Sequence, residues 1–232
     1  MEGLYKNYGH VCPINELVAI KKQFSYRLIV DESFSFGTLG KAGRGVIELY
    51  GKKIMEDVEI VVISLENSLG SIGGVCIGNI EVVDHQRLSG AGYCFSASAP
   101  PFVATAAIAS LAKLEHSPQI LEKLAENRKA LYQGLRDIPE LVVTSDERSS
   151  IAFLRLSDRS ELSKDEEECI LSRIALHCLR EGVLIISTNK VKGFLHRLPP
   201  PSLRMTVTAA HSKEDIQKAI QTLSMAVNAI TY

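Results

Sequence analysis

Apolar residues recur along the chain at two different spacings, in blocks. After Pro13, which suits a first helical turn, Leu17, Ile20 and Phe24 follow at helical spacing. A β-rich run at 26–30 comes next and ends at Asp31. Residues 33–45 carry Gly37, Gly40, Gly43 and Gly45 and read as a loop. The run 58–63 is mostly apolar, as a strand covered on both faces would be. The stretch 70–78, broken by Gly73 and Gly74, predicts strands around a tight turn. Helical patterns then cover 80–88, 99–115 and 119–136, the last with Leu121, Leu124 and Leu131 on one side.

The remainder predicts strands at 141–143 and 151–156 and a helix at 164–181 presenting Ile170, Ile174 and Cys178. A strand at 183–187, a loop through Pro199, Pro200 and Pro201, a strand at 203–208 and a helix at 213–229 follow. The first part has the order of half a parallel α/β domain, and the second that of a small α+β domain. The expected division is 1–115 and 116–232, beside Pro118.

Composition narrows the partners. A 46% hydrophobic content over 232 residues can fill one large domain or two small ones. With 26 basic and 27 acidic residues, there is no electrostatic footprint for nucleic acid or an anionic membrane surface. The longest apolar stretch, 99–114, is interrupted by Pro100, Pro101, Thr105 and Ser110, so no bilayer span is expected. The first ten residues lack the basic and apolar regions of a signal peptide. Cys12, Cys76, Cys94, Cys169 and Cys178 form no CxxC pair and no cluster with histidine, which predicts buried free thiols in a reducing compartment.

Several residues are candidates for chemistry. Asp31, at the end of a strand, either points into a ligand crevice or caps the following turn. Residues 64–78 read as a glycine-rich hairpin, in which Cys76 is a small core residue. Ser96 and Ser98, ahead of Pro100 and Pro101, suit an anion site at a helix start; N-capping by Ser98 fits equally well. Arg204 can grip a carboxylate or hold a structural salt bridge. His211, before Ser212 and Asp215, suits the start of a helix. His10, His85, His116, His177 and His196 share no ligand spacing and read as surface or packing residues.

Taken together these stretches resemble the α-oxoamine synthases, a family of fold-type I pyridoxal-phosphate enzymes. The family carries a strand ending in Val-Asp-Glu-Ala-His-Ser-x-Gly, then x-Gly-x-x-Gly-Arg-Gly. Here Val30, Asp31, Glu32, Ser33, Phe34, Ser35, Phe36 and Gly37 are followed by Gly40, Gly43, Arg44 and Gly45. The resemblance implies that Asp31 matches the partner of the cofactor's pyridinium nitrogen, which keeps the ring an electron sink. Phe34 stands where the family has a histidine, and a phenyl ring stacks but relays no proton. Aligning Gly70, Gly73 and Gly74 with the family's glycines puts Asn67 at the cofactor-linking lysine. An amide cannot form that link. The nearest lysines, Lys52 and Lys53, lie before the preceding strand.

Residues 84–90, 92–101, 2–5 and 199–204 extend the resemblance to one branch, the lysine-less subunits of serine palmitoyltransferases. This implies the C-terminal half of a fold-type I large domain with a mostly parallel sheet, plus a small α+β domain. It implies a non-catalytic subunit in the endoplasmic reticulum membrane complex that condenses serine with long-chain acyl-CoA to 3-ketodihydrosphingosine. The partner would be a lysine-containing subunit holding the pyridoxal phosphate, with Ser96 and Ser98 reaching its phosphate. Arg204 matches the arginine that grips the amino acid carboxylate. Two other readings stand beside this one. They are an independent pyridoxal-phosphate transferase, against which Asn67 counts, and a scaffold that only docks on the catalytic subunit. The family's fold begins before residue 1. The resemblance therefore implies a fragment, a truncated gene model or a shortened isoform, without the N-terminal membrane segment and first half of the large domain, and with apolar surface exposed around 58–63.

Overall fold

The computed structural model describes residues 1–51, 56–158, 162–188 and 199–231; Lys52, Lys53 and His196 lie outside them. The chain forms two compact units, one of Met1–Lys6 and Val11–Leu121, the other of Asn7–His10 and Glu122–Tyr232.

In the first unit, α1 (Ile14–Phe24) starts behind Pro13 and ends at Ser25, whose φ of 55° turns the chain left-handed. Three strands follow in the order β1 (Ile29–Asp31), β2 (Ile60–Ser64), β3 (Gly74–Gly78). β1 and β2 are parallel; β2 and β3 are antiparallel. On its other edge β1 is met by the chain start. The Asp31 amide donates to the Met1 carbonyl at 2.8 Å and the Gly3 amide to the Asp31 carbonyl at 2.7 Å. β2 is thus the central strand. It buries Val61 and Ile63 and leaves their neighbours partly exposed, so the two-sided cover predicted from its apolar run is not found. Exposure falls instead on β3, with Val75 at 40% and Ile77 at 45%, and on α3 (Ile80–Ser89), which buries no residue.

Only the second half of 70–78 is strand. Gly70 and Gly73, at φ of 61° and 95°, make the turn before it. α2 (Val46–Tyr50) was not legible because five residues are too few to show a helical period. α4 (Ala91–Cys94) is shorter still, and α5 (Pro101–His116) buries Val103 and Ala107. Two hydroxyls tie α5 to the turn after β2, Ser71 to the Val103 carbonyl and Ser110 to the Leu69 carbonyl, each at 2.7 Å.

In the second unit, α6 (Gln119–Arg136), α7 (Lys164–Arg180) and α8 (Lys213–Thr231) accompany a four-stranded antiparallel sheet. Its order is β4 (Leu141–Val143), β5 (Ile151–Leu156), β7 (Leu203–Thr206), β6 (Ile186–Ser187). Leu135, Leu154, Leu171, Ile174, Leu203 and Leu223 are fully buried in one apolar cluster. α7 opens on a capping box in which Ser163 and Glu166 satisfy each other's amides, and Ser212 and Asp215 do the same for α8. The Tyr132 hydroxyl ties α6 to the segment after β4 through Ser145 and the Asp146 carbonyl. The Asn127 amide donates to the carbonyls of Thr208 and His211.

All five cysteines are free. Cys12 and Cys178 are buried, and burial pushes their thiols up to about 11. Cys94 and Cys169 are exposed, against the prediction of uniformly buried thiols. Among the described residues no helix is long and apolar enough to cross a membrane, and no group of side chains could hold a metal ion.

Candidate functional site

Three site candidates of the first unit, Asp31, Phe34 and Asn67, lie at the end of β1 and on the loops leaving β1 and β2, where the two strands end side by side. Parallel pairing sets Asp31 opposite Val62, so the loops leaving both strands emerge at one edge. In parallel α/β sheets this is where ligands bind. Ser33 joins the two loops. Its amide donates to Asp31 Oδ1 at 2.8 Å, its hydroxyl accepts the Ser64 amide at 2.9 Å, and its carbonyl accepts Asn67 Nδ2 at 2.8 Å. Asp31 and Asn67 are therefore held by one residue between them. Asp31 is half-buried and Asn67 exposed. Phe34 follows on the same loop, with Lys6 Nζ 5.8 Å from the centre of its ring.

The glycine loop packs under this edge. Gly37, at φ 74°, passes so close to Ser68 that a side chain would overlap it. The Ser68 hydroxyl is buried without a hydrogen-bond partner. Both oxygens of Glu48 take loop amides, those of Ala42 and Arg44, each at 2.8 Å.

The family model described as "Aminotransferase class I and II" matches residues 2–223. The chain belongs to that family. It is 38% identical over 223 residues to long chain base biosynthesis protein 1 of Arabidopsis thaliana, covering 96% of this chain and 46% of that protein. It is 37% identical over 227 residues to serine palmitoyltransferase 1 of Dictyostelium discoideum, covering 95% and 47%. The chain thus spans about half the length of these curated relatives. Among solved structures, serine palmitoyltransferase of Sphingomonas wittichii superposes with a TM-score of 0.85 at 28% identity, over 99% of this chain and 54% of that one. A high-resolution structure of SPT with a PLP internal aldimine gives 0.86 at 27%, over 99% and 54%. The fold is that of part of a fold-type I pyridoxal-phosphate transferase, as the resemblance implied.

The remaining candidates lie elsewhere. Ser96 and Ser98 are exposed ahead of α5. The Ser96 hydroxyl donates to the Gly92 carbonyl. Ser98 does not cap α5: the N-cap is Pro100 and no side chain bonds to the helix start. Arg204 belongs to the second unit, on β7, paired with Phe153 and Ile186. Its Nε is buried without a hydrogen-bond partner, and among the described residues it forms no ion pair. His211 accepts the Thr208 amide through Nδ1, a turn contact at the approach to α8. His10 and His116 bond main-chain carbonyls, of Thr144 and Ala112.

For pyridoxal phosphate, the strand-end group fits in part. Asp31 is a carboxyl at the right kind of edge, and Phe34 offers a ring face. The amide of Asn67 supplies no amine and is already engaged with Ser33.

Sequence reasoning passed over two residues at this edge. Ser33 makes three contacts: its amide bond to Asp31 Oδ1 is the turn cap the sequence offered for Asp31, and those to Ser64 and Asn67 only the folded chain reveals. Glu32 is 1% exposed although it follows the half-buried Asp31. The one available signal was an acid next to Asp31, where alternation along a strand puts it on the opposite face.

Proposed function

We propose that this chain is a lysine-less subunit of a serine palmitoyltransferase, acting in sphingolipid biosynthesis beside a lysine-containing subunit. The observation that carries the reading is Asn67. It stands where the family's lysine is expected, and its amide is spent on the Ser33 carbonyl. The pyridoxal phosphate then belongs to the partner, where it supplies an electron sink for condensing serine with long-chain acyl-CoA. This chain's residues hold and orient. Asp31 is the strand-end carboxyl, fixed on one oxygen by the Ser33 amide. Ser98 is an exposed hydroxyl free of a capping duty at α5, which supports a role as a donor to the partner's cofactor phosphate; Ser96, also exposed, would exchange its bond to the Gly92 carbonyl for the same role. The unmet Nε–H of Arg204 supports a carboxylate contact over a structural salt bridge. The complex would reside in the endoplasmic reticulum membrane.

The test is co-purification of the tagged chain with a lysine-containing subunit, followed by borohydride reduction with pyridoxal phosphate and peptide mapping. The label should fall on the partner alone. Stoichiometric labelling of a specific lysine in this chain would overturn the reading. Asn67→Lys by itself should yield no ketone product, because Phe34 leaves the site without the family's proton-relaying histidine.

A further inference from the structure

Glu32 is the most buried carboxyl at the site, and neither the fold's apolar core nor the proposed chemistry uses it. Its side chain is fully engaged. Oε2 accepts the Val46 amide at 2.9 Å and the Ser35 hydroxyl, and Oε1 accepts the Ile47 amide at 3.0 Å. Its main chain is engaged too. The amide donates to the Val62 carbonyl at 2.8 Å, and the carbonyl accepts the Ser35 and Phe36 amides. No cation faces it among the described residues; the charged neighbour acting on it is Asp31, and it acts in turn on the buried Cys12.

The surrounding chain is shaped to this carboxyl. A side chain at Gly45 would run into it, and one at Gly3 would stand 2.6 Å from Oε2. Gly45 also sits at φ 83°, where other residues are strained. Three segments distant in sequence thus converge on one group: the chain start, the end of β1 and the glycine loop entering α2.

We propose that Glu32 is a positioning residue for Asp31, fixing the twist of the β1 end through its grip on Val46 and Ile47 and so setting where the Asp31 carboxyl points. Asp31 and Glu32 are consecutive at a strand end, so their side chains leave on opposite faces. Turning one turns the other. The backbone of Asp31 is held in the sheet plane by Met1 and Gly3. On the other edge the Glu32 amide reaches the Val62 carbonyl, so both edge contacts lie in the sheet plane, and the Glu32 side chain adds an anchor off that plane, on the face away from Asp31. The importance of Asp31 rests on the function proposed above. The coupling between the two residues does not.

The test therefore uses no cofactor. In the full chain, amide hydrogen exchange at Ser33 reports the bond to Asp31 Oδ1. Glu32→Gln keeps the size of the side chain but opposes an amide group to the Val46 and Ile47 donors. Exchange at Ser33 should accelerate about tenfold or more, a loss of about 1.4 kcal/mol or more of local protection. Val18→Ala in the buried face of α1, compared at matched distance below its melting temperature, should leave Ser33 exchange unchanged. Faster exchange at Val46 and Ile47 with Ser33 unaffected would overturn the proposal, leaving Glu32 as a cap of α2. If Glu32→Gln does not fold, Ser35→Ala removes one of the three donors and should move Ser33 exchange in the same direction by a smaller factor. No change there would overturn the proposal as well.

Discussion

The two units hold together by different means. The second is consolidated by an apolar cluster running from Leu124 to Val227, and two of its helices begin with reciprocal side-chain caps. The first places a buried acid, a glycine loop and a serine hub at its strand ends, and it leaves α3 without a single buried residue. Apolar burial is non-directional and tolerates small shifts. Hydrogen bonds to a buried carboxyl do not. The first unit buries apolar residues too, among them Leu4, Ile14, Val30 and Leu39, but it adds directional contacts at the strand ends, where Asp31 and Asn67 need fixed geometry.

Substitutions can break this contrast, beginning with the largest effect. Leu154→Ala, at a fully buried position of β5, should cost about 2–5 kcal/mol, read as a lower urea midpoint. A cost below about 1 kcal/mol would mean that the cluster of the second unit collapses around the gap.

In the first unit the matching loss is polar. Glu32→Ala strands the Val46 and Ile47 amides and should cost about 1–3 kcal/mol. Glu32→Gln adds a sign. Burial raises the Glu32 carboxyl, with the Ser35, Val46 and Ile47 donors opposing. A raised folded value means that the group's stabilisation is complete below the unfolded value, about 4.3, and is lost as pH rises through the folded one. The stability gap between the native chain and Glu32→Gln should therefore narrow from acid toward neutral pH. A gap that widens would show that the donors outweigh burial.

Ser96→Ala with Ser98→Ala should weaken retention of pyridoxal phosphate by the assembled complex about tenfold, since a hydrogen bond to a charged phosphate contributes about 1.5–3 kcal/mol. Because Ser98 caps nothing at α5, the melting temperature should hardly move. A lowered melting temperature with unchanged cofactor retention would remove both residues from the site. The smallest effect is at α7. Ser163→Ala loses one half of a capping box and should cost about 1 kcal/mol, seen as a drop of about 2–4 °C in melting temperature.

Much of the fold was legible from the chain alone. The helical spacing after Pro13, the runs at 119–136 and 164–181 and the short strands 141–143 and 151–156 all appear as elements at or near the expected positions. Each rests on a pattern within a few turns or a few residues, and such patterns survive without knowledge of neighbours. The same holds for Asn67: an amide at that position cannot itself form an imine with a cofactor, whatever the fold. The sequence by itself determined these elements and that chemical limit. Only the tertiary structure decided that β2 is the central strand, that Ser33 spans from Asp31 to Asn67, and that Glu32 is buried under the glycine loop. Apart from the local bond of Ser33 to Asp31, those contacts join residues 14 to 34 positions apart or depend on which strands become neighbours. A hydrogen bond between distant segments leaves no periodic trace in either of them, so it becomes visible only when the chain has closed.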